Sequence, residues 1–156
     1  MFDVLNKEQI KEVITNNFIG HLGCHADGKS YIVPISYAFD GIHIYARTFE
    51  GRKVDMIRKN PQVCFQIDSM VAMNDWQSVI IWGKVEELIE KTEREKGLDI
   101  LLSRTLPNVS SDTVKFSPEW PFPTSDLSKI EGIIFRISID EITGRCEKPI
   151  AEVFRE

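Results

Sequence analysis

The chain lacks the short signatures of the commonest chemistries. It has no glycine-rich dinucleotide turn, no phosphate loop closing on Gly-Lys-Ser/Thr and no nucleophile elbow. Apolar residues never run long enough to span a bilayer, and no apolar stretch follows a basic segment at the N-terminus, so neither export nor membrane insertion is expected. Cysteine is scarce: the three, Cys24, Cys64 and Cys146, are widely spaced and odd in number. Such a set builds neither a disulfide framework nor a zinc ribbon, and a reducing, cytoplasmic setting is the expectation. Positive charge is also short. With 19 Lys and Arg against 24 Asp and Glu, the net charge of -5 argues against a surface made for nucleic acid or an anionic membrane. Any anion site must be local.

What is present suits one soluble globular domain spanning residues 1–156. At 156 residues, 42% hydrophobic and 28% charged, the chain can bury a core without disulfides or metal. Asn6 followed by Lys7-Glu8-Gln9 reads as an N-cap with a box-like Gln, and Ile10, Val13 and Ile14 give a short amphipathic helix ending near Asn16-Asn17. The period then becomes two. Phe18 to His25, Ser30 to Phe39 and Ile42 to Thr48 read as three strands of a meander, joined by the turn signals Ala26-Asp27-Gly28-Lys29 and Asp40-Gly41. Tyr31, Val33, Ile35, Tyr37 and Phe39 share one strand face; Ile32, Pro34, Ser36 and Ala38 share the other. Gln62 to Ile67 and Ser78 to Leu88 are further strands with a polar connection between them, and Glu90 to Arg104 reads as a helix. Ile130 to Ile139 and Ile142 to Lys148 read as a last hairpin, so six or seven antiparallel strands point to a small closed barrel.

Three local features carry chemical meaning. After Tyr45-Ala46-Arg47-Thr48-Phe49-Glu50-Gly51 the chain opens a helix with Arg52 and Lys53, cations where the helix end already carries partial positive charge. A bound phosphate shared with Arg47 would resolve the conflict, whereas an exposed helix whose cations reach into solvent would carry the same residues. Pro34 lies inside a strand and cannot donate to a ladder, which marks an edge or a bulge. Free backbone groups around Val33, Ile35 and Ser36 could then bond a planar heterocycle, although a proline also blunts an edge against aggregation. The segment 106–128 holds Pro107, Pro118, Pro121 and Pro123 with Phe116, Trp120 and Phe122, and reads as a structured loop able to act as a lid. His21, Cys24 and His25 would need a bulge to converge on a metal or haem, because on a strand the two histidines share a face and the cysteine points away, so ordinary strand residues beside a turn are the expectation. Cys64 reads as buried and inert, His43 as outward with Tyr45 and Arg47, and Trp82 as lying opposite Val79 and Ile81.

Five blocks, Tyr31-Ile32-Val33-Pro34-Ile35-Ser36, Ile44-Tyr45-Ala46-Arg47-Thr48, Gly51-Arg52-Lys53, Asn60-Pro61-Gln62-Val63 and Ser78-Val79-Ile80-Ile81-Trp82-Gly83-Lys84-Val85-Glu86, resemble in order and spacing the FMN-binding split-barrel proteins of the pyridoxamine 5'-phosphate oxidase-like superfamily. The His-Leu-Gly-Cys, Pro-Ile-Ser-Tyr and Glu-Gly-Arg-Lys segments look most like its nitroimidazole-resistance branch. The resemblance implies a mainly β fold, a six- to seven-stranded antiparallel split barrel with Greek-key character and short flanking helices. It also implies FMN, with Val33, Pro34, Ile35 and Ser36 along the ring, Ala46, Arg47, Thr48, Arg52 and Lys53 at the phosphate, and Ser78 as a polar contact. Subunits of such proteins pack side by side with FMN in the groove, so a homodimer is implied. The implied activity is electron transfer from a reduced nicotinamide or similar donor to a small planar acceptor, nitroaromatic- or quinone-like. A flavin-binding module without turnover, or a haem- or deazaflavin-binding barrel, are the alternatives. Two departures bear on mechanism. The C-terminal run Pro149-Ile150-Ala151-Glu152-Val153-Phe154-Arg155-Glu156 lacks the aromatic, arginine-rich segment of the vitamin-salvage oxidases, and Arg47 stands where many nitroimidazole-resistance proteins carry a histidine. No residue of the chain is assigned as catalytic, and no metal is expected.

Overall fold

The computed structural model describes residues 2–104 and 126–149. Asn6 caps the first helix, α1 (Lys7–Asn16), by a reciprocal pair: the Gln9 N–H donates to Asn6 Oδ1 and the Asn6 N–H to Gln9 Oε1, both at 2.9 Å. Val13 and Ile14 of its apolar face are buried, and the Tyr37 hydroxyl donates to the Ile14 carbonyl at 2.6 Å, tying the helix end to the barrel. A short strand missed by the sequence pattern, β1 (Phe2–Val4), precedes it and pairs with the far end of the last strand.

The meander forms as its turn residues predict: β2 (Ile19–Ala26), β3 (Lys29–Phe39) and β4 (His43–Thr48). The chain then crosses through α2 (Arg52–Lys59) and returns beside β2 as β5 (Gln62–Ala72), a Greek-key step, before turning tightly into β6 (Asp75–Glu87). The polar connection expected between these two strands is therefore mostly strand. Helix α3 (Lys91–Ser103) follows, and a single turn of 3₁₀ helix at Leu127–Lys129 leads into β7 (Ile133–Glu147). The sheet order β1-β7-β4-β3-β2-β5-β6 closes through additional pairing of β7 with β6, so six of the seven strands form the antiparallel barrel.

The final hairpin read from the sequence is one strand. β7 runs unbroken through Asp140-Glu141, pairing with β4 over Ile133–Ser138 and with β6 from Phe135 to Glu147. No Gly, Pro or Asn sits at Asp140-Glu141 to reverse the chain; the extra residue is absorbed as a bulge, with Gly83 opposite Ile139 and Trp82 opposite Glu141. The close approach needs Gly83, because a Cβ there would run into the Ser138 carbonyl oxygen.

Two apolar clusters result. Leu22, Tyr37, Ala46, Phe65, Ile81 and Phe135 belong to the barrel interior. Ala38, Tyr45, Leu88, Leu98, Leu101 and Ile134 form a second layer beneath α3. His43, Tyr45 and Arg47 do share a face, but it is the face that α3 covers, and Tyr45 is only 2% exposed. The loop reading for 106–128, including its aromatics, falls outside the described residues apart from 126–128.

Candidate functional site

The two strands that flank the first site diverge. β3 pairs with β2 from Lys29 to Ser36, but with β4 only over Tyr37–Phe39. On the β4 side, residues 30–36 therefore have no strand partner among the described residues, and Pro34 lies on that open edge as its chemistry requires. The parity of that edge follows from one hydrogen bond. The Tyr37 N–H donates to the Phe18 carbonyl at 3.0 Å, and backbone direction alternates along an antiparallel strand. Val33 and Ile35 thus turn their N–H and C=O groups to β2, while Ile32, Pro34 and Ser36 turn theirs to the open edge. The edge offers Ile32 and Ser36 as donors, not Val33 or Ile35 as the sequence reading expected. The Val33 side chain packs against the barrel interior and that of Ile35 is buried within it.

The start of α2 adjoins this edge. Its N-cap is Gly51, which makes no side-chain capping bond. The Arg52 guanidinium lies 5.9 Å from the centroid of the Tyr31 ring on β3. The Lys53 charge acts on the Cys24 thiol, which burial pushes up and Lys53 draws back down, and Cys24 is the strand partner of Tyr31. Both first-turn cations therefore sit where the open edge begins. Arg47 leads elsewhere: its Nε donates to the Glu131 carbonyl at 2.7 Å, and its guanidinium lies 4.8 Å from the Phe49 ring. Burial and the neighbouring Arg94 lower its pKa, opposed by Glu131. Ala46 is buried inside the barrel, and the Thr48 side chain is buried with its hydroxyl 3.4 Å from the Phe49 carbonyl. Arg52 and Lys53 are brought together beside β3, then, while the Arg47 side chain is anchored at the turn that starts β7.

The remaining predicted contact, Ser78, lies on the outer face of β6, where its hydroxyl accepts from Gln66 Nε2 at 3.2 Å. The strands β3, β2, β5 and β6 are successive neighbours, so Ser78 stands three strand spacings from Pro34, roughly 14 Å. Along the same outer face lie Ile19, Ile32 and Trp82, exposed by 50%, 70% and 40%. His21 and His25 are also on it and Cys24 is not, as expected. His21 Nδ1 is 3.9 Å from Asp68 Oδ1. Cys64 is on this face too and only half-buried, which corrects its reading as a buried residue; burial still raises its thiol pKa. Among the described residues no group of His, Cys, Asp or Glu could hold a metal ion.

Sequence reasoning missed Arg104. As the C-cap of α3 it resembles any cation placed to suit a helix dipole. In the fold its Nη1 donates to Ser36 Oγ at 2.6 Å and to the Tyr37 carbonyl at 2.8 Å, and burial lowers its pKa. Separately, an apolar cavity of about 200 Å³ between α2, β6 and β7, lined by Val54, Ile57, Val85 and Phe135, contains none of the predicted site residues.

Known proteins share this architecture over nearly its whole length. An FAD-binding protein from Mesorhizobium loti superposes with a TM-score of 0.70 at 27% identity, covering 96% of this chain and 98% of its own. A candidate 5-nitroimidazole antibiotic resistance protein from Bacteroides thetaiotaomicron has the same fold, with a TM-score of 0.69 at 20% identity and coverage of 94% and 87%. An uncharacterized protein of Rhizobium meliloti is 29% identical, covering 92% of this chain and 93% of the relative. The family model described as pyridoxamine 5'-phosphate oxidase matches residues 6–146, so a mainly β barrel split between β3 and β4, with cations at the start of α2, belongs to the pyridoxamine 5'-phosphate oxidase family.

Proposed function

We propose that this chain is an FMN-dependent oxidoreductase that takes electrons from a reduced nicotinamide or similar donor and passes them to a small planar acceptor of nitroaromatic or quinone type. The observation that carries this reading is the continuity of two features. The unpartnered edge of β3 ends beside Tyr31, where Arg52 and Lys53 open α2 without a capping side chain. A planar heterocycle finds donors and acceptors along the edge at Ser36, Pro34 and Ile32, and a phosphate finds two cations and the positive end of α2 beside Tyr31. The residues present fit a flavin mononucleotide. One cation pair suits one terminal phosphate, which favours FMN over a dinucleotide. The Mesorhizobium loti protein, named for binding FAD, supports a flavin at this fold.

Bound FMN would supply the two-electron carrier. The chain's own part is to hold the ring at the β3 edge, fix the phosphate at α2 and leave one ring face open to donor and acceptor in turn. A homodimer belongs to the same reading. Ser78 stands three strands across the sheet from the β3 edge, and the outer face of β2, β3, β5 and β6 exposes Ile19, Ile32 and Trp82. A second copy packed on that face would bring its Ser78 toward the first copy's edge.

Anaerobic mixing of the FMN-loaded protein with NADH or NADPH in a stopped-flow instrument tests the reading. Bleaching of the flavin absorbance by either donor, and its return when a quinone is added, is the expected result. A flavin that stays oxidised with both donors overturns the oxidoreductase reading and leaves a binding module without turnover; a Soret band in the protein as isolated replaces FMN with haem.

A further inference from the structure

Arg104 is a half-buried cation with no countercharge among the described residues. Nη1 makes the two bonds already described, to Ser36 Oγ at 2.6 Å and the Tyr37 carbonyl at 2.8 Å. Nε is shut off from solvent and bonds to nothing. Among the described residues no carboxylate pairs with it, in contrast to Arg58, which holds Glu50 and Glu87, and Arg136, which holds Glu86 and Glu93. Holding a half-buried guanidinium without a carboxylate carries a cost, which falls when negative charge arrives nearby. The Ser36 hydroxyl stands between Arg104 and the open edge. Because its oxygen accepts from Arg104, its own hydrogen is free to be donated, and the adjacent N–H of Ser36 faces the edge by strand parity.

We propose that Arg104, acting through Ser36, is the positioning residue that sets the electron affinity of the ring held along β3; this rests on the flavin reading above. Two electrons and one proton delivered from the reduced nicotinamide leave the ring with one net negative charge. That charge is absent from the oxidised ring, so a cation behind Ser36 favours the reduced form over the oxidised one. Ser36 aims the polarised hydroxyl, and Arg104 holds it and supplies the field. The preference belongs to the redox equilibrium, so binding of the oxidised ring changes little.

The test is the two-electron midpoint potential of bound FMN, measured anaerobically against a reference dye in the wild type and in the Arg104→Gln, Arg104→Lys and Ser36→Ala variants, with oxidised FMN affinity determined in parallel. Arg104→Gln is expected to lose about tenfold of the preference for the reduced form, a fall of about 30 mV, while oxidised FMN binds within a few-fold of wild type. Arg104→Lys is expected to retain most of the potential. Ser36→Ala is expected to fall in the same direction, so the proposal stays testable should Arg104→Gln not fold. A loaded Arg104→Gln or Ser36→Ala variant with the wild-type potential overturns the assignment and leaves the flavin reading standing. A wild type that binds no FMN overturns both, and is recognised before any potential is measured.

Discussion

Arg52 and Lys53 are unfavourable at the start of a helix, and an anion bound beside Tyr31 would offset that cost. Replacing both with Ala is expected to weaken FMN binding by roughly 100-fold or more, since each charge-assisted contact contributes roughly 1.5 to 3 kcal/mol. Fluorescence titration with FMN measures this, and unchanged affinity would remove the phosphate from this helix. Asp40 is the residue with the clearest pH signature. Burial pushes its carboxyl up, but the His43 and Ile42 N–H groups, donating to Oδ1 at 2.6 and 2.8 Å, outweigh burial and hold it below its ordinary value of 3.8. A lowered carboxyl contributes stability that is fully present above that ordinary value and is lost as pH falls below it. Urea unfolding midpoints of wild type and Asp40→Asn should therefore converge as pH drops below about 3.8 and separate above it. Parallel curves would contradict the carboxylate's role in the β3–β4 turn. These turn residues were legible in the sequence, because Asp-Gly between alternating strands has a local mechanism. Arg104 was not, because its meaning depends on Ser36, 68 positions earlier.

The bulge in β7 shows where element-level reading fails. Alternation from Ile133 to Ile139 and from Ile142 onward looks like two strands, since the shift of register across Asp140-Glu141 mimics a turn. Only the pairing partner reveals a bulge, and that partner, β6, is far away in sequence. The same distance hid β1, whose three residues take strand form against the end of β7. For β3, by contrast, Pro34 alone narrowed the strand to an edge or a bulge; the pairing shows the edge, and the direction of its free groups needed the Tyr37–Phe18 bond. Gly83→Ala tests the bulge at the scale of the element: a Cβ driven into the Ser138 carbonyl is expected to cost about 1–3 kcal/mol in urea unfolding. A variant as stable as wild type would mean that β6 and β7 can part there freely.

At the scale of the whole molecule, the split between β3 and β4, the cations at α2 and the uncovered outer face of β2, β3, β5 and β6 form one arrangement. The barrel supplies rigidity, and the split supplies an edge that a closed sheet would lack. The sequence blocks led to the family because each marks one part of this arrangement in order, and the match over residues 6–146 agrees. What the blocks do not carry is the identity of the acceptor. The most direct test of the flavin reading is the visible absorbance spectrum of the freshly purified protein, followed by chromatographic identification of the chromophore released on denaturation. The account predicts an oxidised flavin spectrum and release of FMN at about one per chain; a protein that is colourless and stays so after incubation with FMN would contradict it.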